Sequence, residues 1–308
     1  MNNNITRRHF LQLALAASTT AYFPRLAGDQ TSNIIKRPIP SSGESIAALG
    51  LGTYRTFDVG DDPETRRRLA QVLTKFEELG GQVVDSSPMY GNAESVLGDI
   101  AKQTSVQKKL FYATKVWTHG EQQGIEEMQT SMRRMRVKNM DLMQIHNLVD
   151  WKTHIKTLYQ WKQQGIIRYV GITHYLSSAF DDLEHIMKSE KIDFVQLPYS
   201  IVNIDAERRL LPLAKDKGIA IIANMPFAQG RLFRSVRGKT LPRWAAEFDC
   251  NSWAQFFLKF ILSHDAITCP IPATSRPKHL ADNMQAAFGR LPDKQTRKRM
   301  LALMVDII

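Results

Sequence analysis

The sequence predicts a single-domain α/β protein whose parallel strands close into a (β/α)8 TIM barrel. Short segments rich in β-branched residues alternate with amphipathic helical segments, which is typical of a parallel sheet. The strand candidates number eight, and eight strands close a barrel. The chain from residue 37 to residue 308 also has the length that such a barrel needs. The predicted strands are 46–53, 82–87, 111–116, 141–147, 167–174, 194–200, 218–226 and 267–273.

The segments between these strands carry helix signals. The first, 63–79, follows Asp62, a capping residue, and starts with Pro63, which is preset for a first helical turn. Gly80 follows its last residue and favours an ending there. The apolar residues of this segment recur at helical spacing and therefore share one face: Leu69, Val72, Leu73, Phe76 and Leu79.

An open, doubly wound sheet is the alternative architecture for such an alternating chain. That fold normally carries a glycine-rich Gly-x-Gly-x-x-Gly turn after its first strand. The corresponding residues here are Gly50-Leu51-Gly52-Thr53, which do not match. Because residues 37–308 also contain no segment that reads as a linker, we expect one barrel domain.

Charge and cysteine content exclude several functional classes. The formal net charge is +11, but basic residues are interspersed with acidic ones and form no stripe with aromatic residues between them. We therefore expect no nucleic-acid partner. Two cysteines, Cys250 and Cys269, exclude a disulfide framework and a cysteine-only zinc site. We expect both to be buried as small apolar residues, with one disulfide as the alternative in an oxidising compartment.

Residues 1–36 are predicted to be a targeting segment and linker. Arg7 and Arg8 precede Phe10 and Leu11, and a short apolar run, 13–17, leads into small residues. This pattern resembles a twin-arginine signal, which implies export of the folded protein to the periplasm by the twin-arginine machinery. The run is too short to span a bilayer, so no stable membrane anchor is expected. The alternative is an uncleaved basic tail on a cytoplasmic protein.

Polar residues with acid–base chemistry follow three neighbouring strands. Asp85 ends the second strand and Tyr90 follows it, Lys115 lies at the end of the third, and His146 lies at the end of the fourth. The carboxyl ends of all strands in a barrel open onto one face, where barrel enzymes hold their chemistry. Each residue alone has an ordinary structural explanation, but their order and placement favour a shared site.

These four residue types can protonate a carbonyl oxygen while hydride reaches its carbon. A tyrosine is a weak acid, and we expect a lysine ammonium beside Tyr90 to stabilise its phenolate and lower its pKa. Asp85 would hold Lys115 charged and in place, and His146 would orient the carbonyl. The sequence contains no paired-histidine metal motif, so we predict no metal site.

Three motifs resemble the aldo/keto reductase superfamily. They are Val-Val-Asp-Ser-Ser-Pro-Met-Tyr-Gly-Asn-Ala-Glu at 83–94, Thr-Lys-Val-Trp at 114–117 and Gln-Ile-His-Asn at 144–147. The resemblance implies Tyr90 as proton donor, with Lys115 and Asp85 tuning it. It further implies that His146 orients the carbonyl, and that Trp117 and Tyr54 line the substrate pocket.

Two loops are candidates for the phosphates of a dinucleotide. Barrels commonly bind phosphate after strands seven and eight, where this chain has Gly230 and the run Thr274-Ser275-Arg276. The resemblance implies NADP(H) as cofactor, with NAD(H) as the alternative because Ala273 stands where many members have lysine. The implied cofactor contacts are Gly52, Thr53, Tyr54, Thr173, His174, Gln196, Tyr199, Pro226, Phe227, Gln229, Gly230, Arg231, Thr274, Ser275, Arg276, Asp282 and Asn283.

Three of these residues bear on the nicotinamide. Thr173 and His174 stand where the family has a Ser-Asn pair that holds the nicotinamide amide, and the resemblance implies that Tyr199 stacks on the nicotinamide ring. The predicted function is NADP(H)-dependent reduction of a small-molecule aldehyde or ketone. The alternatives are an exported module of the same fold that binds cofactor with little turnover, and a dismutating enzyme with a trapped cofactor.

Overall fold

The structure, a computed structural model, describes residues 33–308, and Asn33–Ile308 form one compact unit. The strands are β1 Lys36–Pro38, β2 Ser45–Ala47, β3 Leu51–Gly52, β4 Val83–Asp85, β5 Phe111–Val116, β6 Met140–His146, β7 Ile167–Thr173, β8 Phe194–Pro198, β9 Ala220–Asn224 and β10 Cys269–Pro270. The last eight are parallel and lie in the order β10-β9-β8-β7-β6-β5-β4-β3, and helices surround them.

Ten α-helices are described, most of them in the connections between strands. They are α1 Pro63–Glu78, α2 Ala93–Gln103, α3 Glu121–Arg134, α4 Trp151–Gln163, α5 Phe180–Ser189, α6 Leu210–Lys217, α7 Arg231–Ser235, α8 Trp253–Leu262, α9 Pro277–Gln285 and α10 Lys294–Ile307. Helix α1 matches its predicted segment closely. Asp62 accepts a hydrogen bond from the Thr65 amide at 2.8 Å. Four of the five predicted apolar residues are buried, and Leu79, at the C-cap, is half-buried.

Contacts between the first and last strands close the barrel. Gly52 forms a parallel bridge with Ala273, and the amides of Gly50 and Gly52 donate to the carbonyls of Pro270 and Pro272 at 3.0 and 3.1 Å. A Cβ atom on Gly50 would lie 2.9 Å from the Val83 carbonyl oxygen, so this close approach requires glycine. The predicted barrel fold is confirmed.

The first predicted strand, 46–53, is wrong as a single element. Ser45–Ala47 instead pairs antiparallel with Lys36–Pro38, and only Leu51–Gly52 joins the barrel. The hairpin residues Ile39 and Ile46 are buried in one apolar cluster with barrel residues such as Phe194. Burial of this apolar face across one end of the barrel explains the split, because a continuous strand would leave that end uncovered.

The N-terminal predictions are only partly within the described residues. The prediction that the linker extends through residues 33–36 differs from the structure, because the Ile35 amide donates to the Ala287 carbonyl at 2.8 Å and β1 begins at Lys36. These residues belong to the folded unit. The predicted twin-arginine segment, with Arg7 and Arg8, lies outside the described residues. Within residues 33–308, no helix is long and apolar enough to cross a membrane.

Both cysteines are free and buried, as expected for small apolar residues. Cys269 lies in the apolar cluster inside the barrel, and Cys250 lies in the larger cluster between strands and helices. The alternative of a disulfide between them is wrong for this structure.

Candidate active site

The register of neighbouring strands places the predicted residues one after another near the carboxyl ends of the strands. Asp85 of β4 pairs with Ala113 of β5, two residues before Lys115, and Lys115 pairs with Gln144 of β6, two residues before His146. His146 in turn pairs with Thr173, and Thr173 pairs with Gln196. Inward-facing side chains of adjacent strands therefore meet near the carboxyl ends of the strands.

The centre of this layer is a buried ion pair. Lys115 Nζ donates to Asp85 Oδ2 at 2.7 Å and to the Ser86 carbonyl at 2.6 Å. The Lys115 side chain is 0% exposed and that of Asp85 is 3% exposed. Burial alone would lower the pKa of Lys115, but the charge and hydrogen bond of the Asp85 carboxylate oppose it, and the pKa lies above its usual value. The ammonium is therefore charged at neutral pH.

Two glutamine side chains complete the surroundings of Asp85. Gln144 Nε2 and Gln196 Nε2 donate to Asp85 Oδ1 at 3.1 and 2.8 Å. Both carboxylate oxygens therefore have donors, as a buried charge requires. Sequence reasoning missed Gln144 as part of the site, although it lies in the quoted motif at 144–147.

Tyr90 lies over the charged end of Lys115. Lys115 Nζ is 5.2 Å from the centroid of the Tyr90 ring, and the Tyr54 ring lies 4.9 Å away. Burial raises the pKa of Tyr90 above its ordinary value, and the Lys115 charge opposes this only in part. The expectation of a lowered pKa is therefore wrong for this structure, because loss of water outweighs the ammonium. The phenol stays protonated at neutral pH.

His146 is held as a neutral imidazole. Its ring lies edge-on to Tyr90, with 5.9 Å between ring centroids, and its Nδ1 lies 3.0 Å from the Ser87 hydroxyl. Burial, followed by the charges of Lys115 and His174, lowers the pKa of His146 to about 3. A neutral imidazole carries one ring proton, and the tautomer in which Nδ1 accepts from the Ser87 hydroxyl has that proton on Nε2, where it can be donated to a ligand. Ser87 was not predicted as a site residue.

The predicted pocket walls are exposed at the same face. Trp117 is 43% and Tyr54 is 46% exposed, and the Trp117 ring lies 6.4 Å from that of His146. Exposed aromatic rings beside a cluster of acid–base groups are suited to contact an apolar part of a ligand.

Helices α3 and α4 hold the loop that carries Trp117. The amide of Trp117 donates to Glu127, and the amide of Gly120 donates to Asp150 Oδ2 at 2.8 Å. His154 Nε2 lies 2.7 Å from the Thr118 carbonyl and donates to it. These three bonds fix the loop from outside the barrel. They could not be predicted from the sequence, because the two residues of each bond lie 10 to 36 positions apart.

The loop after β9 fits close approach to a phosphate group. Met225, Ala228, Gln229 and Gly230 all have positive φ angles, of 51°, 47°, 54° and 80°. Non-glycine residues in this region store backbone strain, which is concentrated at functional sites. The predicted residues here include Pro226, which is buried, and Phe227, Gln229, Gly230 and Arg231, which are at least partly exposed.

The loop after β10 leads into the N-terminus of α9. Arg276 is exposed at the N-cap, and its amide donates to the Thr274 hydroxyl at 3.2 Å. The free amides of a first helical turn and a guanidinium together favour an anion. Within α9, Asn283 is 4% exposed, and Asp282 accepts a hydrogen bond from Gln255 at 2.7 Å. Ser275 is half-buried beside this turn.

Comparisons with known proteins agree with this geometry. The model of the aldo/keto reductase family matches residues 48–299. The chain belongs to the aldo/keto reductase family. A methylglyoxal reductase of Escherichia coli is 27% identical over 256 residues, with 80% of this chain and 88% of the relative covered. An uncharacterised oxidoreductase of Schizosaccharomyces pombe is 29% identical over 257 residues, covering 78% and 81%.

A solved structure shares the fold. The aldo/keto reductase of Klebsiella pneumoniae, crystallised with NADP and acetate, superposes with a TM-score of 0.73 at 18% identity. The match covers 88% of this chain and 95% of the other. Within the residues that the structure describes, no group of three or more histidine, cysteine, aspartate or glutamate side chains is arranged to hold a metal ion.

Tyr199, a predicted cofactor contact, lies away from the candidate active site and packs against the helices. Its ring is fully buried and stacks on Phe260 of α8 at 6.3 Å, and its hydroxyl accepts a hydrogen bond from Arg297 at 3.0 Å and donates to Glu207. The prediction that Tyr199 stacks on a nicotinamide ring is wrong. Side chains alternate across a strand, so Tyr199 faces the helices while Gln196, three residues earlier, faces the barrel interior.

Thr53, another predicted cofactor contact, is buried and hydrogen-bonds within the protein. It is fully buried, and its hydroxyl lies 3.0 Å from the Asp85 carbonyl and 2.9 Å from the Ser86 hydroxyl. Thr53 therefore ties the loop after β3 to the strand that carries Asp85.

We expect Lys115→Met to lower the free energy of unfolding at pH 7 by about 3–5 kcal/mol, because it leaves the Asp85 carboxylate buried without its cation. The raised pKa of Lys115 means that its contribution is fully present at this pH and is lost only as the pH rises above 10.5. Urea denaturation followed by circular dichroism measures the change.

Lys215→Met is the matched control, because Lys215 pairs with Asp265 at the surface with side chains 65% and 68% exposed. Its unfolding midpoint should stay at the wild-type value. Equal effects of the two substitutions would contradict the view that Lys115 compensates a buried charge.

Proposed function

We propose that this chain is an NADP(H)-dependent reductase of small-molecule aldehydes or ketones, with Tyr90 as the general acid. The observation that carries the proposal is the buried pair of Lys115 and Asp85 beneath Tyr90, next to a neutral His146. Membership of a family of oxidoreductases supports the reaction class.

The four residues divide the acid–base work. The phenol of Tyr90 is protonated at neutral pH and donates its proton to the carbonyl oxygen. The phenolate left behind is stabilised by the Lys115 ammonium, which Asp85 keeps charged and in place. The neutral His146 donates from Nε2 to the same oxygen and fixes the carbonyl relative to Tyr90. Solvent then returns a proton to Tyr90.

The dinucleotide, when bound, supplies hydride to the carbonyl carbon, so that hydride and the Tyr90 proton together give the alcohol. The solved Klebsiella pneumoniae relative was crystallised with NADP, which supports the same cofactor here. In this chain Thr274, Ser275 and Arg276 would hold the 2′-phosphate at the N-terminus of α9. The strained loop at 225–230 would approach the pyrophosphate through its backbone.

The substrate is proposed only as a class. The Escherichia coli relative is named a methylglyoxal reductase, which supports a small carbonyl compound. Tyr54 and Trp117, exposed beside the acid–base residues, would contact its apolar part.

We expect Tyr90→Phe to lower kcat for NADPH-dependent reduction by about 100-fold to 10,000-fold, because the acid is removed while the ring remains. Initial rates on a panel of aldehydes and ketones, with NADPH affinity measured by fluorescence, separate chemistry from binding. NADPH affinity should stay within about twofold of wild type.

Wild-type activity that survives this substitution would contradict the assignment of Tyr90. Tight binding of NADPH by a wild-type protein that reduces no member of the panel would instead favour a cofactor-holding module with little turnover.

We also propose that residues 1–32 direct export of the folded protein. The support is the sequence pattern of Arg7 and Arg8 followed by Phe10, Leu11 and a short apolar run. A protein that crosses the membrane folded would carry any tightly bound dinucleotide with it.

Substitution of both Arg7 and Arg8 by lysine should remove the protein from the periplasmic fraction of a bacterium with twin-arginine machinery, since the paired guanidinium groups are the recognised feature. Immunoblots of fractionated cells measure the distribution, and Arg25→Lys is the matched control. Export that is unchanged in the double variant would contradict the proposal.

A further inference from the structure

Three polar side chains lie together at the carboxyl ends of β7, β8 and β9. They are Thr173, Gln196 and Asn224. The Thr173 hydroxyl lies 3.4 Å and Asn224 Nδ2 lies 3.5 Å from Gln196 Oε1. Gln196 Nε2 donates in turn to Asp85 at 2.8 Å. The cluster is therefore continuous with the ion pair of the candidate active site.

Gln196 has its amide engaged within the protein at both ends. Its Nε2 donates to Asp85 and lies 3.3 Å from Gln144 Oε1. Its Oε1 accepts hydrogen bonds from the Thr173 hydroxyl and from Asn224 Nδ2. The neighbouring His174 is also engaged, because its Nδ1 accepts from the Leu176 amide at 3.1 Å. Neither side chain offers a free acceptor to a ligand at this edge of the site.

Asn224 is different, because one end of its amide is fixed and the other has no partner. Its Nδ2 points toward two acceptors, the His174 carbonyl at 3.4 Å and Gln196 Oε1 at 3.5 Å. The reverse orientation would set its oxygen against two other oxygens, so these acceptors decide which atom is which. Its Oδ1 is shielded from solvent and has no hydrogen-bond donor. Buried acceptors in proteins normally have a hydrogen-bond donor, so we expect a bound ligand to supply one here.

The position of Asn224 indicates which donor this is. Contacts of 3.5, 2.8 and 2.7 Å link Asn224 to Gln196, Gln196 to Asp85, and Asp85 to Lys115, so the Asn224 side chain adjoins the acid–base cluster. In a nicotinamide ring the carboxamide is attached to the carbon next to the one that carries hydride. A ring placed for transfer above this cluster therefore brings its carboxamide to the cluster's edge.

We propose that Asn224 Oδ1 accepts a hydrogen bond from the carboxamide NH2 of the nicotinamide and thereby orients the ring. This rests on the proposed function, and it assigns Asn224 as a binding residue that the sequence analysis did not single out. Because Nδ2 is bonded to His174 and Gln196, the side chain is held before the cofactor arrives.

The test compares cofactor analogues on the purified full chain. The 3-acetylpyridine analogue of NADP+ replaces the carboxamide NH2 by a methyl group, and the thionicotinamide analogue keeps the NH2. Dissociation constants for both analogues and for NADP+ are measured by quenching of tryptophan fluorescence. In wild type, the acetylpyridine analogue should bind about threefold to tenfold more weakly than NADP+, the usual effect of one neutral hydrogen bond. The thionicotinamide analogue should bind nearly as NADP+ does.

Asn224→Leu is close to asparagine in shape and has no acceptor, so its ratio of acetylpyridine to NADP+ dissociation constants should fall to about one. Asn139→Leu is the matched control: Asn139 bonds the Gly165 carbonyl just before the start of β6, at the opposite end of the barrel, and should keep the wild-type ratio.

An unchanged ratio in Asn224→Leu overturns the inference, and so does a wild-type ratio of one, which needs no folded variant to be seen. A wild type that binds no NADP+ at all would instead contradict the proposed function, so the two failures are distinguishable.

Discussion

A buried lysine ammonium stays charged when a buried carboxylate compensates its charge. The candidate active site depends on this pairing. Lys115 and Asp85 meet at 2.7 Å inside the barrel, and Gln144 and Gln196 satisfy the second oxygen of the carboxylate. The pair places a fixed positive charge under Tyr90. In low dielectric surroundings such a charge acts strongly on a phenolate that forms beside it.

The barrel makes this arrangement possible because it brings the carboxyl ends of separate parallel strands to one face. Asp85, Lys115 and His146 come from β4, β5 and β6, and each lies two residues beyond the partner of the one before it, near those carboxyl ends. The helices position the loop at 117–120, which the strands do not contact in this way. Glu127, Asp150 and His154 form hydrogen bonds with this loop. The strands thus carry the acid–base groups, and a loop held by the two helices carries Trp117.

The fold and the four central residues were predictable because both depend on local patterns. Strand and helix periodicity can be read along the chain, and Asp85, Lys115 and His146 all follow from one rule about strand ends. The first strand was wrong because alternating apolar residues do not show whether a segment pairs inside the barrel or across its end. The prediction for Tyr199 was wrong for a related reason. Neighbouring residues of a strand face opposite sides, so an error of one position moves a side chain from the barrel interior to the helix layer.

Features that depend on solvent exclusion and on distant partners escaped sequence reasoning. The direction of the Tyr90 pKa follows from the balance between burial and one ammonium, which spacing along the chain does not report. Likewise, Asn224 draws notice only once its amide partners are located in space.

The protonation of Lys115 can be followed directly by NMR of the Nζ resonance in the wild-type protein as the pH is raised. We expect the signal to remain that of an ammonium up to and beyond pH 10.5, the ordinary lysine pKa, because Asp85 stabilises the charged form. Titration well below that value, as expected of a buried lysine without a partner, would show that the Asp85 carboxylate does not compensate the buried charge.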